Sequence, residues 1–204
     1  ILVKALHMQG AHPGLVQAAQ ELACQICKSQ EPPKNARPAR LKPMLDFNHR
    51  IYLDGIDWTN SQGKTYHMYH ILDAGSNYHV AVAAPAKSTE SLIDIINKNW
   101  ISWAGPPCEL FIDAGTEMNS AAFEQFTSRF GIKCSTSEPD SHWKNGRIER
   151  HGRFLQEMLT KVDLEYPIRS YHDLQSGLNQ CTHSKNSLSV RKGYAPEIIV
   201  FGKH

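Results

Sequence analysis

The segment ELFIDAGTEMNS, residues 109–120, opens as a short apolar run and closes on an acid, a glycine and a polar cluster. Cys108–Ile112, bounded by Gly105-Pro106-Pro107, reads as a short buried strand that delivers Asp113 at its end. A carboxylate held at the end of a buried strand, with Gly115 close by, is not an ordinary surface charge.

Patterns on either side extend the reading. Downstream, Asn119 or Ser120 starts a helix with Phe123, Phe126 and Phe130 on one face, and Gly131 ends it. Residues 132–136 form another short strand, 137–144 a polar loop, and about 145–162 a long helix; helices near 169–182 follow. Upstream, Ile51-Tyr52-Leu53 leads into Asp54, and Asn60-Ser61-Gln62-Gly63 is a turn signal. The segments 65–72 and 78–83 complete an antiparallel meander of three strands. Ser88 is placed to cap a helix in which Leu92, Ile95, Ile96 and Trp100 recur at helical spacing. This order predicts an α/β fold, a mixed five-stranded sheet flanked by helices.

Composition separates three regions. Residues 1–27 are helical in tone and carry a His pair and a Cys pair; 28–45, KSQEPPKNARPARLKPML, read as a proline-rich, basic linker; 46–204 read as the folded domain. With 204 residues, 41% apolar and 21% charged, the chain has the balance of a globular protein. A net charge of +2 argues nothing about nucleic acid by itself, so the positions of the charges must decide. No apolar run approaches the roughly 20 residues that span a bilayer, so no membrane partner is expected. The cysteines number five, and Cys108, Cys134 and Cys181 are scattered, which predicts buried thiols and a reducing setting.

Asp54, Asp113 and Glu149 are the candidate catalytic residues. Each is expected where a carboxylate can point into a crevice at the edge of the sheet. Mg²⁺ prefers oxygen ligands, and a pair of such ions suits in-line displacement at phosphorus. Asp57 competes with Asp54, but residues three apart on a strand face opposite sides, so only one can serve, and Asp54 is preferred. Thirty-five residues, 114 through 148, separate Asp113 from Glu149.

On these residues the chain resembles the retroviral and retrotransposon integrases, whose core carries a D,D-35-E triad on an RNase-H-like fold. The segments that carry the likeness are IYLDGIDW at 51–58, ELFIDAGTEMNS at 109–120, HWKNGRIERHGRFLQEML at 142–159 and RKGYAPEIIVFGKH at 191–204. The resemblance implies 3′-end processing and strand transfer of mobile-element DNA, with Mg²⁺ or Mn²⁺, two ions, on Asp54, Asp113 and Glu149. It implies element ends and target DNA as partners, a homo-oligomer, and a nuclear site of action, or a retroelement particle before nuclear entry. Ala114 departs from the family, which often has Asn or Arg there.

His7, His12, Cys24 and Cys27 suit tetrahedral zinc, and their order matches the integrase N-terminal domain, giving a small zinc-knuckle-like segment. Only 11 residues, 13 through 23, separate the pairs, fewer than the family uses to build a helix-turn-helix. Lys144, Asn145, Arg147 and Arg153 flank Glu149 and are the candidate DNA contacts. The histidines His67, His70 and His79 are expected to be packed or surface residues. Two other readings stay open: a bacterial-style DDE transposase on the same fold, and a catalytically inactive DNA-binding remnant.

Overall fold

Ile51, Leu53, Ile56 and Trp58 decide how the sheet is covered, because successive side chains on a strand turn to opposite faces. In the computed structural model, β1 (Arg50–Thr59) pairs antiparallel with β2 (Thr65–Asp73), and β2 pairs antiparallel with β3 (His79–Ala83). β4 (Glu109–Ile112) joins the other side of β1 in parallel, and β5 (Lys133–Thr136) joins β4, giving the order β3-β2-β1-β4-β5. This is the mixed five-stranded sheet that the patterning predicts. The structure describes residues 46–112, 120–136, 142–189 and 193–202, all within one unit, Pro43–His204. His7, His12, Cys24, Cys27, the 28–45 linker and Asp113 lie outside the described residues.

Among the described residues, five helices flank the sheet. α1 (Thr89–Ile96) continues through a wider turn at Asn97–Ile101 and ends at Ser102–Ala104; α2 is Ala121–Arg129. α3 (His142–Glu165), α4 (Tyr171–Leu188) and α5 (Pro196–Phe201) follow. The caps are local chemistry: Ser88 Oγ accepts from the Ser91 amide and Ser120 Oγ from the Phe123 amide, each satisfying a donor that the helix start leaves free. Ser170 and Asp173 form a reciprocal capping box on α4.

The two faces of β1 feed two cores. Ile51 and Leu53 join Tyr69, Ile71, Leu92, Ile96, Trp100, Leu110, Ile112 and Phe123 under α1 and α2. Ile56 and Trp58 join Tyr66, Met68, Leu155, Leu159, Leu174 and Leu178 under α3 and α4. Two polar clasps fix the assembly. Asp163 on α3 accepts from the Ser61 and Ile168 amides, both at 2.7 Å, tying the β1–β2 turn to the start of α4. On the edge strand β3, Asn186 of α4 pairs with both backbone groups of His79, and Gln175 reaches the Ala83 amide and the Ala81 carbonyl. Side-chain amides thus cover an edge that would otherwise offer unpaired groups to another strand.

Several local expectations differ from the structure. Asp54, expected at or near the end of its strand, lies within β1, because the hairpin carries β1 on to Thr59. α3 already begins at His142, inside the segment read as loop, and Trp143 therefore belongs to a helix. Cys181 is buried, but Cys108, just ahead of β4, and Cys134, on the outer strand β5, are exposed. Trp58 and Trp100 are core residues, whereas Trp103 stays 41% exposed.

Candidate active site

Strand parity separates the two aspartates. Even-numbered residues of β1 face α3 and α4, so Asp54 shares a face with Ile56 and Trp58. Asp57 faces the other way, where it takes hydrogen bonds from Lys87 Nζ and His67 Nδ1, each at 2.7 Å. The Lys87 hydrogen bond, with His67 beside it, holds the Asp57 carboxyl below the usual range against the opposing pull of burial. Asp57 is therefore spoken for on the α1 side. Leu53 pairs with Ile112, the last described residue of β4, and Asp113 follows Ile112 in the chain.

The helix that carries Glu149 lies on the Asp54 face. Ile148, Gly152, Leu155, Leu159 and Asp163 are its buried positions among the described residues, at helical spacing. Gly152 makes the close approach possible. A Cβ there would stand 3.1 Å from Ile56 Cδ1 and 3.3 Å from His70 Cε1 and Nε2, too tight for a side chain without movement. Glu149 is exposed, one turn before Gly152. Among the described residues no group of three or more His, Cys, Asp or Glu is arranged to hold a metal ion; the third acid of the expected trio is Asp113, outside that set.

Beneath Asp54 lies a polar cluster that sequence reasoning did not single out. His70 Nε2 stands 3.5 Å from Asp54 Oδ2, and His70 Nδ1 lies 2.9 Å from His79 Nε2. Both rings are fully buried. His151 of α3 packs against His79, ring centres 6.1 Å apart. Lys185 of α4 is buried too and donates to the Asn77 carbonyl. Burial, helped by the charge of Arg147, pushes the Lys185 ammonium down to about 7. Burial and then the neighbouring Lys185 push His79 well below its ordinary value, and the same two causes lead in pushing His151 down to about 3.

The expected DNA contacts divide. The Arg147 guanidinium donates from Nε and Nη2 to Asn77 Oδ1 in the β2–β3 turn, so it ties the early part of α3 to the sheet. Asn77 takes a left-handed backbone (φ 64°), which brings its amide to that position. Arg153 is exposed on α3. Lys144 and Asn145 lie in the first turn of the same helix.

Residues 48–142 match the family model described as integrase core domain. The chain is 24% identical over 183 residues to the Pro-Pol polyprotein of feline foamy virus, covering 88% of this chain and 15% of that protein. It is 26% identical over 144 residues to the Gag-Pro-Pol polyprotein of bovine leukemia virus, covering 71% of this chain and 10% of that protein. The chain thus spans a small part of the length of the curated relatives it matches. Among solved structures, the HTLV-2 integrase catalytic core domain in complex with magnesium superposes with a TM-score of 0.65 at 22% identity, over 77% of this chain and 99% of that one. The simian T-cell lymphotropic virus intasome in complex with PP2A regulatory subunit B56 gamma superposes with a TM-score of 0.70 at 19% identity, over 96% of this chain and 69% of that one. These likenesses establish the fold as the RNase-H-like fold of integrase cores.

Proposed function

We propose, from the premise that residues 48–142 form an integrase core domain of the retroviral type, that this chain is part of a DNA integrase. Its reactions are phosphoryl transfers: water cleaves a phosphodiester near an element end, leaving a 3′-hydroxyl there and a 5′-phosphate on the released piece, and that hydroxyl then attacks a phosphodiester of target DNA, joining to its phosphorus and expelling the target's 3′-hydroxyl. The observation that supports this most is the packing of α3, which carries Glu149, on the face of β1 that carries Asp54. The donor set fits a hard divalent ion. Asp54 keeps part of its carboxylate open to solvent, Glu149 is exposed, and both offer only oxygen. Asp54, Asp113 and Glu149 would hold Mg²⁺ or Mn²⁺, as two ions. Such ions, when bound, activate the attacking oxygen and stabilise the leaving one. The chain's own contribution is placement: β1 fixes Asp54, and Gly152 lets α3 bring Glu149 close. The magnesium in the HTLV-2 core supports the choice of ion. The dimeric and trimeric forms of that core support a homo-oligomer.

The test is joining of a labelled duplex end to target DNA with Mg²⁺ or Mn²⁺, against a chelator control. Metal-dependent joined products support the reading. DNA binding with no joining under either ion would favour the inactive remnant.

Lys144, Asn145, Arg147 and Arg153 position the DNA backbone near the acids, and Arg147 also ties the helix that presents them to Asn77. Lys144→Ala or Arg153→Ala should weaken binding of all sequences alike and lower the salt slope by about one. Affinity measured against salt concentration checks this; loss confined to one sequence would mean that bases are read instead.

His7, His12, Cys24 and Cys27 hold one zinc ion. Elemental analysis should find it, and Cys24→Ser should lose it; a zinc content unchanged in that variant would remove the assignment.

A further inference from the structure

Asp54 does not stand alone on its face of the sheet. Its antiparallel partner on β2 is His70, and His79 of β3 is the diagonal neighbour of His70 on the same face. The three side chains make one line: Asp54 Oδ2 to His70 Nε2 at 3.5 Å, and His70 Nδ1 to His79 Nε2 at 2.9 Å. Only the Asp54 end reaches solvent, since both imidazoles are fully buried.

The hydrogen bonds have one consistent polarity. A carboxylate only accepts, so the proton that faces Asp54 sits on His70 Nε2. His70 Nδ1 is then the acceptor, and His79 Nε2–H is the donor to it. His79 Nδ1 is buried with no partner among the described residues, which fits a bare lone pair; a buried N–H without an acceptor would cost more. Burial, Lys185, His70 and His151 all disfavour charge on His79, in keeping with this neutral form. The line is also clamped from outside. Asn186 grips both backbone groups of His79, and Gly152 presses α3 against the edge of the His70 ring. The contact to Asp54 is at the long limit of a hydrogen bond, as such contacts often are before the site is filled.

We propose that His70 and His79 are positioning residues: a buried two-ring relay that fixes the orientation of the Asp54 carboxylate, and through it the site's affinity for a divalent ion. This rests on the reading of Asp54 as a metal ligand. His79 touches neither DNA nor ion, and acts through His70. Partners that orient a ligand in this way commonly govern metal affinity by about ten- to a hundredfold.

The experiment uses the full chain and Mn²⁺ as the probe, with bound and free ion counted by electron paramagnetic resonance. His79→Leu removes the donor and should weaken Mn²⁺ binding by about tenfold or more. His79→Gln, which keeps an N–H donor at that place, should recover most of the affinity. Asp54→Asn is run beside them. If Asp54→Asn weakens Mn²⁺ binding and His79→Leu does not, the relay is overturned while the metal reading stands. If Asp54→Asn also leaves binding unchanged, the metal reading itself falls. A measurement on the unaltered protein covers the case in which His79→Leu does not fold. Nitrogen-15 spectra should show His70 and His79 both protonated at Nε2 and bare at Nδ1, with the His70 signals moving when Mg²⁺ is added. A proton on His70 Nδ1, or His70 signals indifferent to Mg²⁺, overturns the proposal.

Discussion

Asp54→Asn is expected to abolish DNA joining, whereas Asp57→Asn leaves most of it. The two residues are three apart on one strand, and the difference rests on which face each occupies. Asp54 points to the side covered by α3, and Asp57 is tied to Lys87 and His67 on the other. Asn keeps the size of Asp but removes the charge that a divalent ion needs. A bound ion contributes several kcal/mol to a phosphoryl-transfer barrier, so the loss should be about a thousandfold or more. Asp113→Asn and Glu149→Gln should behave as Asp54→Asn does. Folding should be spared, because removing one of several clustered carboxylates relieves repulsion rather than a needed contact. Asp57→Asn loses its ion pair with Lys87, and that pair is half-exposed, where such contacts stabilise little. Joining assays at matched protein concentration, with thermal melting beside them, decide the matter. Loss of activity only in Asp57→Asn would reverse the assignment.

Trp100→Ala should be the most damaging change away from the site. The indole is fully buried among Leu92, Ile96 and Phe47, and its Nε1 donates to Asn48 Oδ1 at 2.8 Å. Asn48 in turn donates to the Ala104 carbonyl, and its amide donates to the buried Asp73 carboxylate. One side chain thus fills the α1 core and holds the loop before β1 to the end of that helical segment. Truncating a buried Trp costs about 3–5 kcal/mol, and the orphaned Asn48 adds to that. The expected fall in melting temperature is roughly 10 °C. Trp103→Ala, at a partly exposed ring, should cost well under half as much. Equal losses in the two variants would mean that the core is not organised around Trp100.

The sheet was legible because its strands carry period-two patterns and its turn carries Asn60 and Gly63, which the hairpin uses directly. Asn60 Oδ1 accepts from the Gln62 and Lys64 amides, and Gly63 takes a positive φ. The helix starts at Ser88 and Ser120 were legible for the same reason: capping is local chemistry. Parity allowed only one of Asp54 and Asp57 to serve, and the preference for Asp54 came from the integrase resemblance carried by IYLDGIDW. His70 and His79 are packed, as expected, but their line to Asp54 was not found, yet a signal existed. A hairpin centred on Gln62 pairs residues equidistant from it, so Asp54 must oppose His70, and Asp57 must oppose His67. What no local pattern could supply is the second step, to His79, and the approach of α3 and α4. Asn186 meets His79, and Lys185 meets Asn77, each across more than a hundred residues of chain. The bond from Arg147 to Asn77 was equally out of reach, since no local pattern says that the β2–β3 turn lies beneath the start of α3.

The central claim is that Asp54, Asp113 and Glu149 hold the ions that drive phosphoryl transfer on DNA. Crystals of the chain grown or soaked with Mn²⁺, with anomalous scattering used to locate the metal, test it most directly. The account predicts manganese within coordination distance of the carboxylates of Asp54, Asp113 and Glu149, and none at Asp57. Manganese bound elsewhere, with Asp54 turned away from it, would contradict the account.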